Sequence, residues 1–276
     1  MNHIVTTIRV GAIAPFKVLH MSDTHLTLVD ERDDERKINL AQRRSKSFAD
    51  AMEVIAAGEK FAREKKIPII HTGDFIDFVS YANLDEAKRF TIENDCFMAA
   101  GNHEFSLYVG EAFEDAAYRN QSLSLVQASF QNNIRFSSRI INGVNFVAID
   151  NSYYLFESEQ LEALKKEDAL GFPIVLLMHT PLYTPQLFQY QTVDRGASYA
   201  SLMNAPRELI SHYDAYRLRQ QLADEVTIEA YNYILNSPHV KAVIAGHLHY
   251  DYMDWLTPDL PQYITGVRTL REIQFI

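Results

Sequence analysis

The 276-residue chain is 47% apolar and 22% charged with a formal net charge of −10, an ordinary balance for a globular protein long enough to bury one large α/β core. That acidity excludes a general nucleic-acid binder, whose phosphate contacts need clustered Lys and Arg, and no run approaches the roughly 18 apolar residues of a membrane span. With one cysteine, Cys96, no intramolecular disulfide can form; the first 21 residues lack a cationic stretch followed by a continuous apolar one, so no signal peptide is predicted and the cytoplasm is the expected setting.

In chain order, "TTIRV" and "FKVLHMS" read as short strands around the turn-like "GAIAP". "DERDDERK" reads as a solvated loop or helix start. From Asn39 to Lys65 the spacing of Leu40, Phe48, Met52, Ile55, Ala56 and Phe61 predicts an amphipathic helix. "IPIIHTGD" is a strand, Leu84 to Glu93 a helix, and "CFMAAGNH" a strand that buries Cys96 as a small apolar residue. A helix is expected near Glu111 to Arg119. "IRFSSRI" and "VNFVAID" flank a turn at Asn142–Gly143, "SEQLEALKKE" is helical, and "FPIVLLMHT" is a strongly apolar strand. Residues 183–233 are less regular, with a helix near the end, before the strands "VKAVIAGHLH" and "REIQFI". No repeat or low-complexity tract interrupts the 1–276 stretch, which reads as a single domain. Alternating strands and helices argue an α/β fold, and strands near both ends argue mixed sheets.

Five apolar runs end in metal-ligand residue types: "VLHMSDTH", "PIIHTGD", "CFMAAGNH", "IVLLMHT" and "AVIAGHLH". In open α/β sheets ligands bind beyond the carboxyl ends of the strands. Neighbouring strands would bring Asp23, His25, Asp74, Asn102, His103, His179, His247 and His249 together there. Asp23 and His25, like His247 and His249, are two apart, and i, i+2 residues of an extended segment share a face. Gly73, Gly101 and Gly246 precede candidate ligands and allow sharp turns and close backbone approach. A lone D-x-H or H-x-H is more often structural; the claim rests on the joint pattern. Carboxylate, imidazole and amide oxygen without thiolate suit manganese, iron or zinc ions, and the set is too rich in nitrogen for a dedicated calcium or magnesium site. Seven donors exceed the need of one ion. Two ions bridged by a shared carboxylate would use them all, with Asp74 the natural bridge.

Read in order as "SDTH", "GDFID", "GNHE", "MHT" and "GHLH", these residues resemble the calcineurin-like metallophosphoesterase superfamily, and the likeness runs from Asp23 to His249. It implies a sandwich of two mixed β-sheets flanked by helices, a four-layer fold, with two metal ions at the strand ends. It also implies that Asp23, His25, Asp74 and His249 hold one ion, that Asp74, Asn102, His179 and His247 hold the other, and that His103 faces the substrate. Phe78 stands where the protein Ser/Thr phosphatases of the superfamily place an arginine, so the pattern is closer to its bacterial phosphodiesterases.

The implied reaction is attack by a metal-activated hydroxide on a small phosphodiester of cyclic nucleotide or glycerophosphodiester type. Asn102 would offset charge on the phosphoryl oxygens and His103 would protonate the leaving group. Glu104 is expected either to orient His103 or to form a surface salt bridge. A phosphomonoesterase and a non-catalytic metal-binding scaffold are the alternatives. The expected partner is a small phosphorylated substrate, with no membrane and no general nucleic-acid binding; assembly state is not encoded in the motifs. His20 and His71 read as core or supporting residues, and Asp77 as a turn carboxylate or a ligand contact. Asp150 and Asn151 are candidates for the cavity wall, while His3, His212 and His239 carry no signal. The seven tyrosines of 183–233 mark that stretch as a possible lid, with rings that could stack on a base.

Overall fold

The computed structural model describes residues 1–276. The inner pair of its layers is two mixed sheets. In the first, β1 (Asn2–Ile8), β11 (Thr269–Phe275), β2 (Phe16–Met21), β3 (Ile69–His71) and β4 (Cys96–Met98) lie side by side in that order. In the second the order is β5 (Phe136–Ile141), β6 (Val144–Ile149), β7 (Ile174–Leu177), β8 (Val240–Ala245), β10 (Leu260–Ile264) and β9 (Tyr252–Thr257). Strand alternation builds the layers. Phe146, Val175, Leu177, Ala242 and Ile244 of the second sheet meet Val18, Ile70, Phe97, Ile273 and Phe275 of the first in a core between the sheets.

The opposite faces take the helices. Leu19 and Ile69 face out under α2 (Ala51–Lys65) and α3 (Tyr81–Glu93), where Val54, Ile55, Ala87 and Phe90 cover them. Val147, Ile149, Leu176 and Val243 face α5 (Ser158–Asp168) and α9 (Glu225–Asn236) through Leu161, Leu164, Ala230 and Ile234. The result is the helix–sheet–sheet–helix order that the sequence motifs imply. No helix is long and apolar enough to cross a membrane.

Register sets up the site. β2, β3 and β4 run parallel with Met21 opposite His71 and His71 opposite Met98, so the loops after them leave the sheet together. In the other sheet β7 and β8 are parallel, with Leu177 opposite Ile244. The five motif-bearing strands are thus neighbours in two groups, three in one sheet and two in the other.

Two helix boundaries differ from the sequence expectation, and the strand order and one hairpin add to it. The 39–65 helix is two helices, α1 (Glu35–Arg44) and α2. Ser45 N–H closes α1 on the Ala41 carbonyl, and Phe48 turns inward to stack on the His25 ring at 4.2 Å, which a continuous helix would prevent. The helix near Glu111–Arg119 is instead α4 (Ala116–Gln127), because Asp115 caps it through the Tyr118 N–H. β1 and β2 are not neighbours, since the C-terminal β11 lies between them. The β9–β10 hairpin is a further element. Its Pro261 argues against a strand in sequence, and in the structure it sits where the pairing register shifts. The Asn142–Gly143 turn matches expectation, with both residues at positive φ.

Candidate metal centre

All eight candidate residues converge where the two groups of loops face each other. Asp23 and His25 follow β2, Asp74 follows β3, Asn102 and His103 follow β4, His179 follows β7, and His247 and His249 follow β8. The reason for the two-residue spacing differs from expectation. Asp23, His25, Asp74, His247 and His249 all have positive φ, between 50° and 69°. They are not extended, so each pair shares one cavity through successive left-handed turns rather than strand alternation. Non-glycine residues adopt this conformation at a cost and cluster at functional sites. The neighbouring backbone locks it: Asp23 N–H bonds the Gly73 carbonyl (3.0 Å) and His25 N–H the Asp74 carbonyl (2.9 Å). Gly73, at φ +94°, passes so close to Gly101 that a Cβ would stand 2.3 Å from the Gly101 nitrogen.

Two donor clusters share Asp74. Asp23, His25, Asp74 and His249 bring one ligand atom each within 4.8 Å of the others, as do Asp74, His179 and His247. Asp74 Oδ1 accepts from the His103 N–H (2.9 Å). Its Oδ2 lies 3.1 Å from His179 Nε2 and 3.6 Å from His25 Nε2, facing both groups. Burial alone would raise the Asp74 pKa, but the His179, His103 and His25 rings around it pull it well below the usual carboxylate value.

Three of the histidines have one ring nitrogen committed away from the centre. His179 Nδ1 donates to the Thr72 carbonyl (2.7 Å), His25 Nδ1 to Asp77 Oδ1 (2.9 Å), and His103 Nδ1 to the Asp77 carbonyl (2.7 Å). Carbonyl and carboxylate oxygens only accept, so those Nδ1 atoms carry a proton, and each Nε2 is left facing inward, in His179 and His25 towards Asp74 Oδ2. The Tyr154 hydroxyl lies 2.8 Å from His247 Nε2, turning His247 Nδ1 towards His179 Nε2 at 3.0 Å. His25 Nε2 and His249 Nε2 are also 3.0 Å apart. Nitrogen atoms aimed at one another, beside a buried Asn102 Oδ1 that has no hydrogen-bond partner, are the arrangement a shared cation would satisfy. The residues fit metal ions chemically: four imidazoles, two carboxylates and an amide oxygen, with no thiolate.

Supporting residues explain the rest. Asp77 carries His25 on one side and the bidentate Arg44 guanidinium (2.6 and 2.7 Å) on the other, the carboxylate–histidine pairing common around metal ligands. Asn151 Oδ1 accepts from the His179 and Thr180 N–H groups and so positions the β7 loop from behind. Asp150, by contrast, is ion-paired with Arg135 (2.6 Å) away from the centre. His20 is wedged between Thr72 and Thr265, and burial lowers the His71 pKa to about 3; both are core groups.

Glu104 neither orients His103 nor lies at the surface. It is 1% exposed, and its oxygens accept from the N–H groups of Asp74 (2.7 Å), Phe75 (2.7 Å), Ile76 (3.3 Å) and Gly101 (2.6 Å). It straps the β3 and β4 loops together. Burial and the Asp74 carboxylate push its pKa up, to about 7, against the pull of those N–H groups. Glu104→Ala is expected to destabilise the protein by about 2–5 kcal/mol in urea denaturation, because each stranded buried N–H costs about 1–3 kcal/mol; a loss under about 1 kcal/mol would remove the strap role.

The centre opens into a cavity of about 500 Å³ whose wall includes His103, Glu114, Tyr154, Tyr216, Arg217 and Gln220. Of the seven tyrosines in 183–233 only Tyr216 lines it; Tyr231 donates to the Tyr183 carbonyl, Tyr233 to Asp168, and Tyr190 stacks on Tyr252. One ring of that segment therefore faces the site, while the four others named pack elsewhere. The sequence reading missed Arg44, Glu114, Tyr154 and Arg217. Their only signal lies in contacts between distant segments, which no local pattern carries.

The family profile described as calcineurin-like phosphoesterase matches residues 16–251. No curated protein matches the sequence. Among solved structures, a dimetal phosphatase from Danio rerio aligns at 11% identity and TM-score 0.49 over 92% of this chain and 88% of its own. A phosphopantetheinyl hydrolase from Mycobacterium tuberculosis aligns at 11% identity and 0.47 over 91% and 90%, and an archaeal phosphodiesterase at 12% and 0.36 over 91% and 84%. Likenesses of this strength carry no argument about activity.

Proposed function

The chain belongs to the calcineurin-like phosphoesterase family and is a metal-dependent hydrolase of phosphoric esters, and from that premise we propose that it cleaves a small phosphodiester at the centre around Asp74. Asp23, His25, Asp74 and His249 would hold one ion and Asp74, Asn102, His179 and His247 the other, manganese, iron or zinc being the metals this donor set suits. When bound, such a pair lowers the pKa of a water and offsets charge on phosphoryl oxygens. His103, with Nδ1 fixed on the Asp77 carbonyl, keeps Nε2 free to give a proton to the leaving oxygen. Burial opposes its protonation, but the Asp74 and Asp77 carboxylates outweigh that and raise its pKa, which favours the acid form. Asn102 Nδ2, 3.5 Å from Glu114 Oε1, is only loosely engaged and available to a phosphoryl oxygen. The 183–233 segment supplies the outer wall as a partial lid through Ser201, Tyr216, Arg217 and Gln220.

The observation that carries the diester reading is the charge of that wall. Arg217 is its one Lys or Arg side chain, and Gln220 links it to Glu114, accepting from Arg217 Nη1 (2.9 Å) and donating to Glu114 Oε2 (2.9 Å), with Glu114 Oε1 beside Asn102. Phe78 supplies no cation, being fully buried against Leu40 and Ala41. One guanidinium with a carboxylate joined to it through Gln220 suits a monoanionic diester better than a dianionic monoester. The manganese-loaded protein is expected to hydrolyse bis(p-nitrophenyl) phosphate with a higher kcat/KM than p-nitrophenyl phosphate. Arg217→Gln is expected to lower kcat/KM on the diester about tenfold, in line with the roughly 1.5–3 kcal/mol of a charged hydrogen bond. A monoester preference in the unaltered protein would overturn the reading, and inert protein holding two metals would return it to a scaffold.

A further inference from the structure

Resting on the phosphodiesterase reading above, we propose that a second cleft, sharing a wall with the metal cavity, binds the substrate's ester arm, and that this arm is an uncharged polyhydroxylated alcohol. The cleft has a volume of about 170 Å³, well above the roughly 10–15 Å³ that one water needs. Glu114 and Gln220 line both it and the metal cavity, and a 2.9 Å hydrogen bond from Gln220 Nε2 to Glu114 Oε2 joins them. The two spaces therefore share a wall formed by one pair of side chains. α8 (Ala215–Gln221) serves both, with Tyr216 and Arg217 on the metal cavity, Arg219 on the cleft and Gln220 on both.

Two buried polar groups in the cleft have no partner. Arg119, 8% exposed, gives Nη2 to Glu157 Oε1 at 2.5 Å, while its Nε–H bonds nothing. Tyr153, 6% exposed, has a hydroxyl with no hydrogen bond at all. Such groups are rare in folded proteins and mark where a ligand or water belongs. Acceptors are also left over. Asp115 and Asp224, both in the cleft lining, spend Oδ1 capping α4 and α9, which leaves each Oδ2 as an acceptor; Asp115 Oδ2 is 3.9 Å from Arg219.

These demands select the ligand. Five carboxylates line the cleft against the guanidinium groups of Arg119 and Arg219, and even with Arg135 paired to Asp150 and Glu157 from outside the lining the balance stays negative, so an anionic arm is repelled. An ammonium group cannot accept from the Arg119 Nε–H, having donors only. A hydroxyl accepts from Arg119 and Tyr153 and donates to a carboxylate, satisfying both kinds of vacancy at once. Phe113, Leu155 and Phe156 offer apolar contact to the carbon skeleton of a polyol.

The test uses zinc-loaded protein, glycerol as probe, and two p-nitrophenyl phosphodiesters whose second arm is glycerol or methyl. Saturation-transfer NMR is expected to show glycerol bound, with the signal reduced at least threefold in Leu155→Trp, which fills the cleft without removing a polar group. The ratio of kcat/KM for the glycerol arm over the methyl arm is expected to fall about fivefold in Tyr153→Phe, the worth of one neutral hydrogen bond. Tyr153→Phe deletes a hydroxyl that bonds nothing, so its melting temperature should not fall. A ratio unchanged in both variants, or glycerol transfer that survives Leu155→Trp, would overturn the proposal. If the unaltered protein cleaves neither diester, the phosphodiesterase reading fails while the NMR result still decides the cleft.

Discussion

His103→Ala is expected to lower turnover by about 10²–10⁴-fold, the usual contribution of a positioned general acid, while metal content stays at its original stoichiometry. The separation follows from geometry. His103 Nδ1 is tied to the Asp77 carbonyl, and its Nε2 has no protein partner, so the ring closes neither donor cluster that includes Asp74. Removing it deletes a proton donor at the cavity wall and leaves the Asp74 oxygens and the other imidazoles in place. The His103 backbone N–H, which fixes Asp74 Oδ1 at 2.9 Å, survives the substitution. Elemental analysis alongside steady-state kinetics on a diester checks both halves. Turnover within threefold of the unaltered protein would take His103 out of the chemistry; loss of metal would make it structural.

Asp74→Asn is expected to do the opposite and disturb both ions together. Oδ2 is the one atom facing both donor groups, 3.1 Å from His179 and 3.6 Å from His25. The amide keeps the shape but removes the charge that offsets two cations. Loss of an outer partner of a ligand typically costs 10–100-fold in metal affinity; a bridging carboxylate should exceed that for both sites, with turnover falling below detection. Calorimetric titration with manganese or zinc would show the two sites weakening in parallel. Two tightly held ions in this variant would refute the shared role of Asp74.

How much of this was readable beforehand differs from residue to residue. The strands were legible because their apolar runs are short, bounded and terminate in the same residue types, and the convergence of Asp23, Asp74, Asn102, His179 and His247 followed from where such strand ends lie in α/β sheets. The conformation of the donors was not legible. The D-x-H and H-x-H spacings fit an extended strand by period, and only the folded backbone shows five left-handed residues. Glu104 was misplaced for a related reason: nothing local shows that its carboxylate closes on four N–H groups from two loops. The break at residues 45–50 is invisible to helical periodicity because Phe48 keeps its apolar spacing while serving His25 from a turn. The wall residues Glu114 and Arg217 come from segments about 100 positions apart, and their meeting is a property of tertiary packing alone.

Those five left-handed donors have a consequence for how such a protein can change over time. They are half of the ten non-glycine residues at positive φ, and each costs about 1–2 kcal/mol relative to a relaxed backbone, together a large share of the roughly 5–15 kcal/mol that separates folded from unfolded domains. A drift to glycine at any of them would relieve torsional tension and delete a candidate donor in the same step. On the proposed reading, sturdier folds lacking one donor are thus one substitution away, because glycine adopts these torsion angles at less cost than aspartate or histidine.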